Sequence, residues 1–314
     1  MRLPAALANG ELIEASQLQI SLGDLGFVNG ATIAEQMRTF QGRIFELPAH
    51  LDRYWAGLEL LEVADRFDRS QINDGLQQLV ELNRPLLNPE DDLGVCLLAT
   101  PGGSALYDAD NFFGETRDYS PRWVAYTYPL SFERWADHYQ RGFDLIRSSI
   151  QEVPEACWPK SIKSRSRMHY YLADLEAARL APGAKPVLTD ASGNVRDSTI
   201  ASLICFDAQR GLLTPGSASQ TSVSVQALSR IAAQRNISFT TTEIAYQSLH
   251  SFDEIMLATT PWCVAPVRSV DGHQLRNCPG PVFELLMQTW SGEVGVDIRQ
   301  QAQIYKNRVC KREV

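Results

Sequence analysis

Lys163 lies near the end of the stretch Trp158-Pro159-Lys160-Ser161-Ile162-Lys163-Ser164, where a strand-like segment is expected to hand over to a helix. The helix is announced by Met168, Tyr171, Leu172, Leu175 and Ala178, apolar residues at the i, i+3, i+4, i+7 spacing of one helical face. A lysine held at such a junction by packed structure can bring a neutral amine to a carbonyl compound and bond to it covalently. Its ammonium must first lose a proton, and a partly dry site lowers a lysine pKa from about 10.4 by up to roughly 3–5 units. A lysine alone is better explained as solvated surface charge, so other residues must carry the case.

The remaining reactive side chains point away from metal and disulfide chemistry. Six cysteines (Cys96, Cys157, Cys205, Cys263, Cys278 and Cys310) are scattered without a Cys-x-x-Cys pair, as expected of reduced and mostly buried thiols. Five histidines supply no i, i+4 pair, so no metal site is expected, and His169 reads as structural. The chain has 314 residues, 44% hydrophobic and 21% charged, enough to bury a substantial core. A net charge of −8 gives no electrostatic footprint for nucleic acid or an anionic membrane. No apolar run approaches the ~20 residues of a membrane span, and no signal core follows the N-terminus, so a cytoplasmic protein is expected. Lys306, Arg308, Lys311 and Arg312 read as a short solvated tail.

The elements that must position Lys163 follow from periodicity and punctuation. A short strand is expected around Leu12–Leu18, then a glycine-punctuated turn from Gly23 to Gly30. Ile33 to Phe40 and Arg43 to Phe45 bracket Gln41-Gly42, a hairpin signal. Leu51, Tyr54, Trp55, Leu58 and Leu61 predict an amphipathic helix over His50–Val63, and a second is expected at Ser70–Leu82. Val95–Ala99 and Trp123–Tyr128 read as strands flanking a long polar stretch, Pro101 to Pro121, expected to be a loop over a site. Pro129-Leu130 to Arg134 reads as a linker, which gives an N-terminal domain over 1–129 and a C-terminal domain over 130–314. The second half opens on a strand at Phe143–Ile150. After the Lys163 helix come strands at Pro186–Thr189, Ala201–Phe206, Leu212–Leu213, Glu254–Thr259 and Cys263–Val267, with helices at Ser224–Arg235 and Pro281–Trp290. The expected class is α/β or α+β.

Around Lys163 further features stand in a fixed order: His50-Leu51-Asp52-Arg53 before it, then Gly193-Asn194-Val195-Arg196-Asp197-Ser198-Thr199. Ser222-Val223-Ser224 opens a helix, and Leu257-Ala258-Thr259-Thr260 follows, with Ala265-Pro266-Val267 behind it. In this order the chain resembles the class IV, fold-type IV pyridoxal-phosphate enzymes, which include branched-chain and D-amino-acid aminotransferases and aminodeoxychorismate lyase. The resemblance runs from about Gly23 to Trp290. It implies a small N-terminal α/β domain, a larger C-terminal mixed β-sheet or barrel domain with helices, and a homodimer. It also implies pyridoxal 5'-phosphate as cofactor, bound in a cleft between the domains.

The resemblance makes Lys163 the lysine that bonds the cofactor aldehyde and later moves the substrate's α-proton. Lys160 matches a position where the family commonly carries another basic residue, and is the rival. Asp197 stands where the family usually has a glutamate that pairs with the pyridinium nitrogen, and is about 1.5 Å shorter in reach. Arg53 matches the family's phosphate arginine, whose guanidinium fork suits phosphate oxygens. Ser222, Val223 and Ser224 replace a Gly-hydrophobic-Thr step at a helix N-terminus, and Thr259 and Thr260 would add donors for the phosphate.

Departures cluster on the substrate side. Asn29 replaces a common tyrosine, and Ala31, Thr32 and Ala34 replace further family residues, so that Gly30 and Glu35 alone hold in that segment. Pro101 stands where branched-chain enzymes often have arginine, Ser198 and Ser202 replace a usual Gly and Asn, and Trp262 fills a usually small position. Arg38 is then the nearest cation for a substrate carboxylate, with Arg165 and Arg167 behind it. The expected activity is amino transfer between an amino acid and a 2-oxo acid. The alternatives are a lyase that releases pyruvate, or a binding protein on the same scaffold that has lost catalysis.

Overall fold

Ile33, Met37, Val95, Leu97, Trp123 and Ala125 alternate along three neighbouring strands and enter one core, which pins the strand register because a one-residue slip would turn them all outward. The structure, a computed structural model, describes residues 3–107, 119–159, 161–216 and 222–310. The rival Lys160, residues 108–118 of the expected loop, and Lys311 and Arg312 lie outside the described residues. The chain divides into two compact units, Met1–Leu130 with Ser161–Arg167, and Ser131–Lys160 with Met168–Val314. The Lys163 segment, within the 130–314 stretch, groups with the first unit.

The first unit holds β1 (Ala5–Ala8), β2 (Glu11–Glu14), α1 (Leu25–Val28), β3 (Ile33–Phe40), β4 (Arg43–Ile44), α2 (Leu47–Leu60), α3 (Arg69–Asn83), β5 (Leu93–Thr100) and β6 (Arg122–Pro129). Its sheet runs β2-β1-β6-β5-β3-β4, with every pair antiparallel. Gln41 and Gly42 both take positive φ, 52° and 79°, the backbone that a two-residue hairpin turn needs. Leu47, Leu51, Tyr54 and Leu58 of α2 and Ile72, Leu76 and Leu79 of α3 recur every three or four residues and cover one sheet face. Each such side chain contributes roughly 1.5–3 kcal/mol on burial. Asp68 caps α3 by accepting from the amides of Ser70 and Gln71 at 2.8 and 3.2 Å.

The second unit contains α4 (His138–Arg141), β7 (Phe143–Arg147), α5 (Met168–Leu180), β8 (Lys185–Thr189), β9 (Val195–Ser198), β10 (Ser202–Asp207) and β11 (Gly211–Pro215). These are followed by α6 (Val223–Gln234), β12 (Phe239–Thr242), β13 (Glu254–Thr259), β14 (Cys263–Val270), β15 (His273–Gln274), α7 (Pro281–Val294) and α8 (Ile298–Cys310). Its sheet runs β12-β11-β10-β13-β14-β7-β8-β9, with β15 paired to β14. Among the described residues no helix is long and apolar enough to cross a membrane.

The Lys163 and C-terminal segments depart from expectation. Residues 161–167 form no strand before the helix, which begins at Met168. The apolar stripe of that helix also faces outward: Met168, Tyr171, Leu172 and Leu175 are 70%, 61%, 42% and 42% exposed, while Ala173 and Ala177 face the interior. The basic C-terminal segment is partly helical rather than a tail, and Lys306 is ion-paired with Asp137.

Candidate active site

Segment 161–167 has no regular structure, yet it is stitched residue by residue to the chain that enters β3. Ile162 packs on the first unit's core. The Lys163 carbonyl accepts from the Ala34 amide at 2.7 Å. The Arg165 amide donates to Thr32 Oγ1 at 2.7 Å, and Ser166 Oγ donates to the Gly30 carbonyl at 2.8 Å. Gly30 has φ +65°, and a Cβ there would stand 2.3 Å from Ser166 Oγ. Both the turn and the close approach therefore require glycine. Within the segment, Arg167 Nε donates to the Ser164 carbonyl at 3.0 Å.

Next to this segment is a buried ionic cluster. Glu35 is fully buried on the helix-facing side of β3 and accepts from Arg53 Nε at 2.7 Å, Arg53 Nη2 at 2.6 Å and His50 Nδ1 at 2.7 Å. Burial by itself would raise the Glu35 pKa, but the charge of Arg53 and the hydrogen bonds from His50 and Arg53 outweigh it and hold the carboxyl at about 2. Burial pushes the His50 imidazole below the usual histidine range. The ring is therefore neutral, with its proton on Nδ1 facing the carboxylate, and its Nε2 is buried without a hydrogen-bond partner among the described residues.

Burial, then the positive charges of Arg167 and Arg53, pull the Lys163 ammonium down to about 7, with Glu35 opposing. A substantial fraction of this amine is neutral at neutral pH, the form that attacks a carbonyl carbon. The arrangement can hold a reactive amine and keep a guanidinium rigid beside it.

The other residues singled out from sequence lie in the second unit. Ser222 is the N-cap of α6, its Oγ accepting from the Val225 amide at 3.4 Å. Val223 and Ser224 form the first turn, and Ser224 Oγ stands 3.5 Å from Thr260 Oγ1. Thr259 ends β13, just before Thr260. Hydroxyls thus gather at the start of a twelve-residue helix, where unpaired N–H groups and the helix dipole favour an anion. Asp197 lies half-buried on β9 opposite Leu188 of β8, with one oxygen accepting from the Ser198 amide at 3.0 Å. Beside it, Thr199 donates to Asp174 at 2.6 Å.

The two substrate residues are placed differently from expectation. Arg38 is fully buried, its Nη2 3.6 Å from Asp92, its Nε donating to the Thr39 carbonyl and its guanidinium over the Phe40 ring. Its guanidinium is held by packing and an ion pair within the first unit. Asn29 is exposed at the end of α1, its amide bonded to the Leu25 carbonyl. The sequence reading gave Glu35 and His50 no role. The signal was an acid two residues from each of Ile33 and Met37, on the apolar side of a strand.

The family description Amino-transferase class IV matches residues 32–270 of the 314. D-alanine aminotransferase of Staphylococcus aureus is 23% identical over 288 residues, covering 89% of this chain and 94% of that one. D-alanine aminotransferase of Staphylococcus epidermidis is 22% identical over 312 residues, covering 98% of each. Among solved structures, the branched-chain amino acid aminotransferase of Escherichia coli shares the fold with a TM-score of 0.81 at 18% identity, over 93% of this chain and 94% of that one. That of Thermoproteus uzoniensis does so at 0.77 and 16%, over 93% and 95%. With the family matched over most of its length, the chain belongs to the class IV aminotransferases, a family that moves amino groups with pyridoxal phosphate.

Proposed function

We propose that this chain carries pyridoxal 5'-phosphate on Lys163 and transfers an amino group between an amino acid and a 2-oxo acid. The observation that carries the reading is the Lys163 segment, held to β3 through the Ala34 amide, with the Lys163 amine in the field of the buried Glu35–Arg53 pair. The donor set fits the group. A neutral amine suits the aldehyde, Arg53 suits phosphate oxygens, and so do the N–H and hydroxyl groups of Ser222, Val223, Ser224, Thr259 and Thr260. Asp197 suits a protonated ring nitrogen. The cofactor supplies an electron sink that makes the substrate's α-proton acidic.

Each side chain has a defined task. With the cofactor bound, Lys163 Nζ would take the α-proton from the donor and hold it for return. Glu35 holds the Arg53 guanidinium in a single orientation through two parallel hydrogen bonds. Asp197 keeps a proton on the ring nitrogen. In the exchange the donor's C–N bond is broken and the donor leaves as a 2-oxo acid. The acceptor 2-oxo acid gains the nitrogen and leaves as an amino acid.

The D-alanine and branched-chain relatives make D-alanine, L-leucine and L-alanine the donors to compare. With ¹⁵N-labelled donor and added 2-oxo acid, NMR should show the label in a new amino acid. Pyruvate released from a donor with no acceptor present, and no label transfer, would instead fit the lyase activity.

We also propose a homodimer. The outward stripe of Met168, Tyr171, Leu172 and Leu175 on α5 is a contiguous apolar surface that a second copy would cover.

A further inference from the structure

The first unit's sheet has a second face that the reading above does not use. Val95, Leu97 and Ala99 of β5 point into the core under α2 and α3, as do Met37 and Ala125. The alternating residues therefore face the other way. Gln36, Cys96 and Tyr126 form one row across β3, β5 and β6, since Gln36 pairs with Cys96 and Cys96 with Tyr126. Tyr128 follows two residues on, its ring 6.3 Å from that of Tyr126. It lies over Gly94, where a Cβ would meet the ring at 2.3 Å. The Tyr128 hydroxyl lies near Gln36, and that of Tyr126 near Cys96.

Arg165 comes onto this polar face from the Lys163 segment. Its backbone is fixed by Thr32, and its Nη2 donates to Cys96 Sγ at 3.3 Å. A thiol is a weak, neutral acceptor. Among the described residues no carboxylate forms an ion pair with Arg165, although the side chain is half-buried. A partly desolvated guanidinium with its fork unmatched by any acid is costly, and a planar anion relieves that cost with two parallel hydrogen bonds. The phenols around it are donors. Burial, then Cys96, raises both tyrosines, Tyr126 to about 12, against the pull of Arg165.

We propose that Arg165, framed by Tyr126, Tyr128 and Gln36, is the carboxylate-recognising subsite of this enzyme and directs it to amino acids and 2-oxo acids over simple amines. The placement rests on the aminotransferase reading, since Arg165 stands two residues from Lys163 and its charge is felt there. A carboxylate seated on Arg165 would lie close to the amine that handles the substrate. It takes over the task that the sequence assigned to Arg38, whose fork is already engaged inside the sheet.

The test titrates the cofactor-loaded protein calorimetrically with propionate and with succinate, in wild type, Arg165→Met, Arg165→Lys and Tyr126→Phe. Truncating one partner of a buried charge pair costs about 2–5 kcal/mol. For a half-buried site the lower end applies, so Arg165→Met should weaken carboxylate binding roughly 30-fold. Arg165→Lys should recover part of the loss, and Tyr126→Phe should weaken binding by about 2- to 10-fold through one lost hydrogen bond. A loss for propionate and succinate alike assigns the α-carboxylate to Arg165, and a loss for succinate alone assigns a side-chain carboxylate. Either result supports the subsite. Equal affinities in all four proteins, each folded by circular dichroism, would overturn it. Absence of a cofactor absorbance band in wild type would defeat the transferase reading but not this one, because the titration can be repeated without cofactor.

Discussion

At the scale of single residues, the account turns on Glu35 and Lys163. Glu35 accepts three hydrogen bonds where water cannot reach. Glu35→Gln leaves Arg53 and His50 facing a neutral amide, and should destabilise the protein by about 3–5 kcal/mol in urea denaturation. Its folded pKa, about 2 against an ordinary 4.5, is depressed. The stability it contributes is therefore fully present above pH 4.5 and is lost as pH falls toward 2, an amount of about 3 kcal/mol. Wild type should lose more stability than Glu35→Gln between those pH values, and parallel curves would refute the assignment. Lys163 shifts the other way, from 10.5 to about 7. Its labelling by a carbonyl reagent should reach half its maximal rate near pH 7. A midpoint near 10 would mean a fully solvated amine. Glu35 raises the Lys163 pKa, so Glu35→Gln should move that midpoint lower.

At the scale of elements, the segment carrying Lys163 depends on the turn before β3. Gly30→Ala places a Cβ in left-handed backbone against Ser166, and should cost ~1–3 kcal/mol. Hydrogen exchange at the Ala34 amide, which the Lys163 carbonyl protects, should speed up in this variant. Unchanged exchange would mean that the segment is held some other way. Much of this scaffold was legible beforehand. Gln41-Gly42 marked the β3–β4 hairpin, and Leu51, Tyr54 and Leu58 marked α2, because these signals are local. β1 was missed because Ala5-Ala6-Leu7-Ala8 shows no polar alternation, and α8 because Gln300, Gln301 and Gln303 dilute its apolar period. The stripe on α5 marked a helix but not which way the stripe faces, since period alone does not say what an apolar face meets. The site divides in the same way. Lys163 and Arg53 were singled out through the order of motifs. Glu35 was matched to its segment but its partners His50 and Arg53 were not legible, and Arg165 ranked behind Arg38, because in both cases the partners come from elements far away in sequence.

At the scale of the whole molecule, two properties follow: assembly and the covalent cofactor. If α5 is covered by a second copy, Leu172→Glu combined with Tyr171→Glu should convert a dimer to a monomer in sedimentation equilibrium. A dimer unaffected by both charges would place the contact elsewhere. The central claim is that Lys163 carries pyridoxal phosphate, and the most direct measurement is borohydride reduction of the cofactor-loaded protein followed by peptide mapping. A stable cofactor adduct should appear on the peptide containing Lys163, and none in Lys163→Ala. An adduct on Lys160, or no adduct at saturating cofactor, would contradict it.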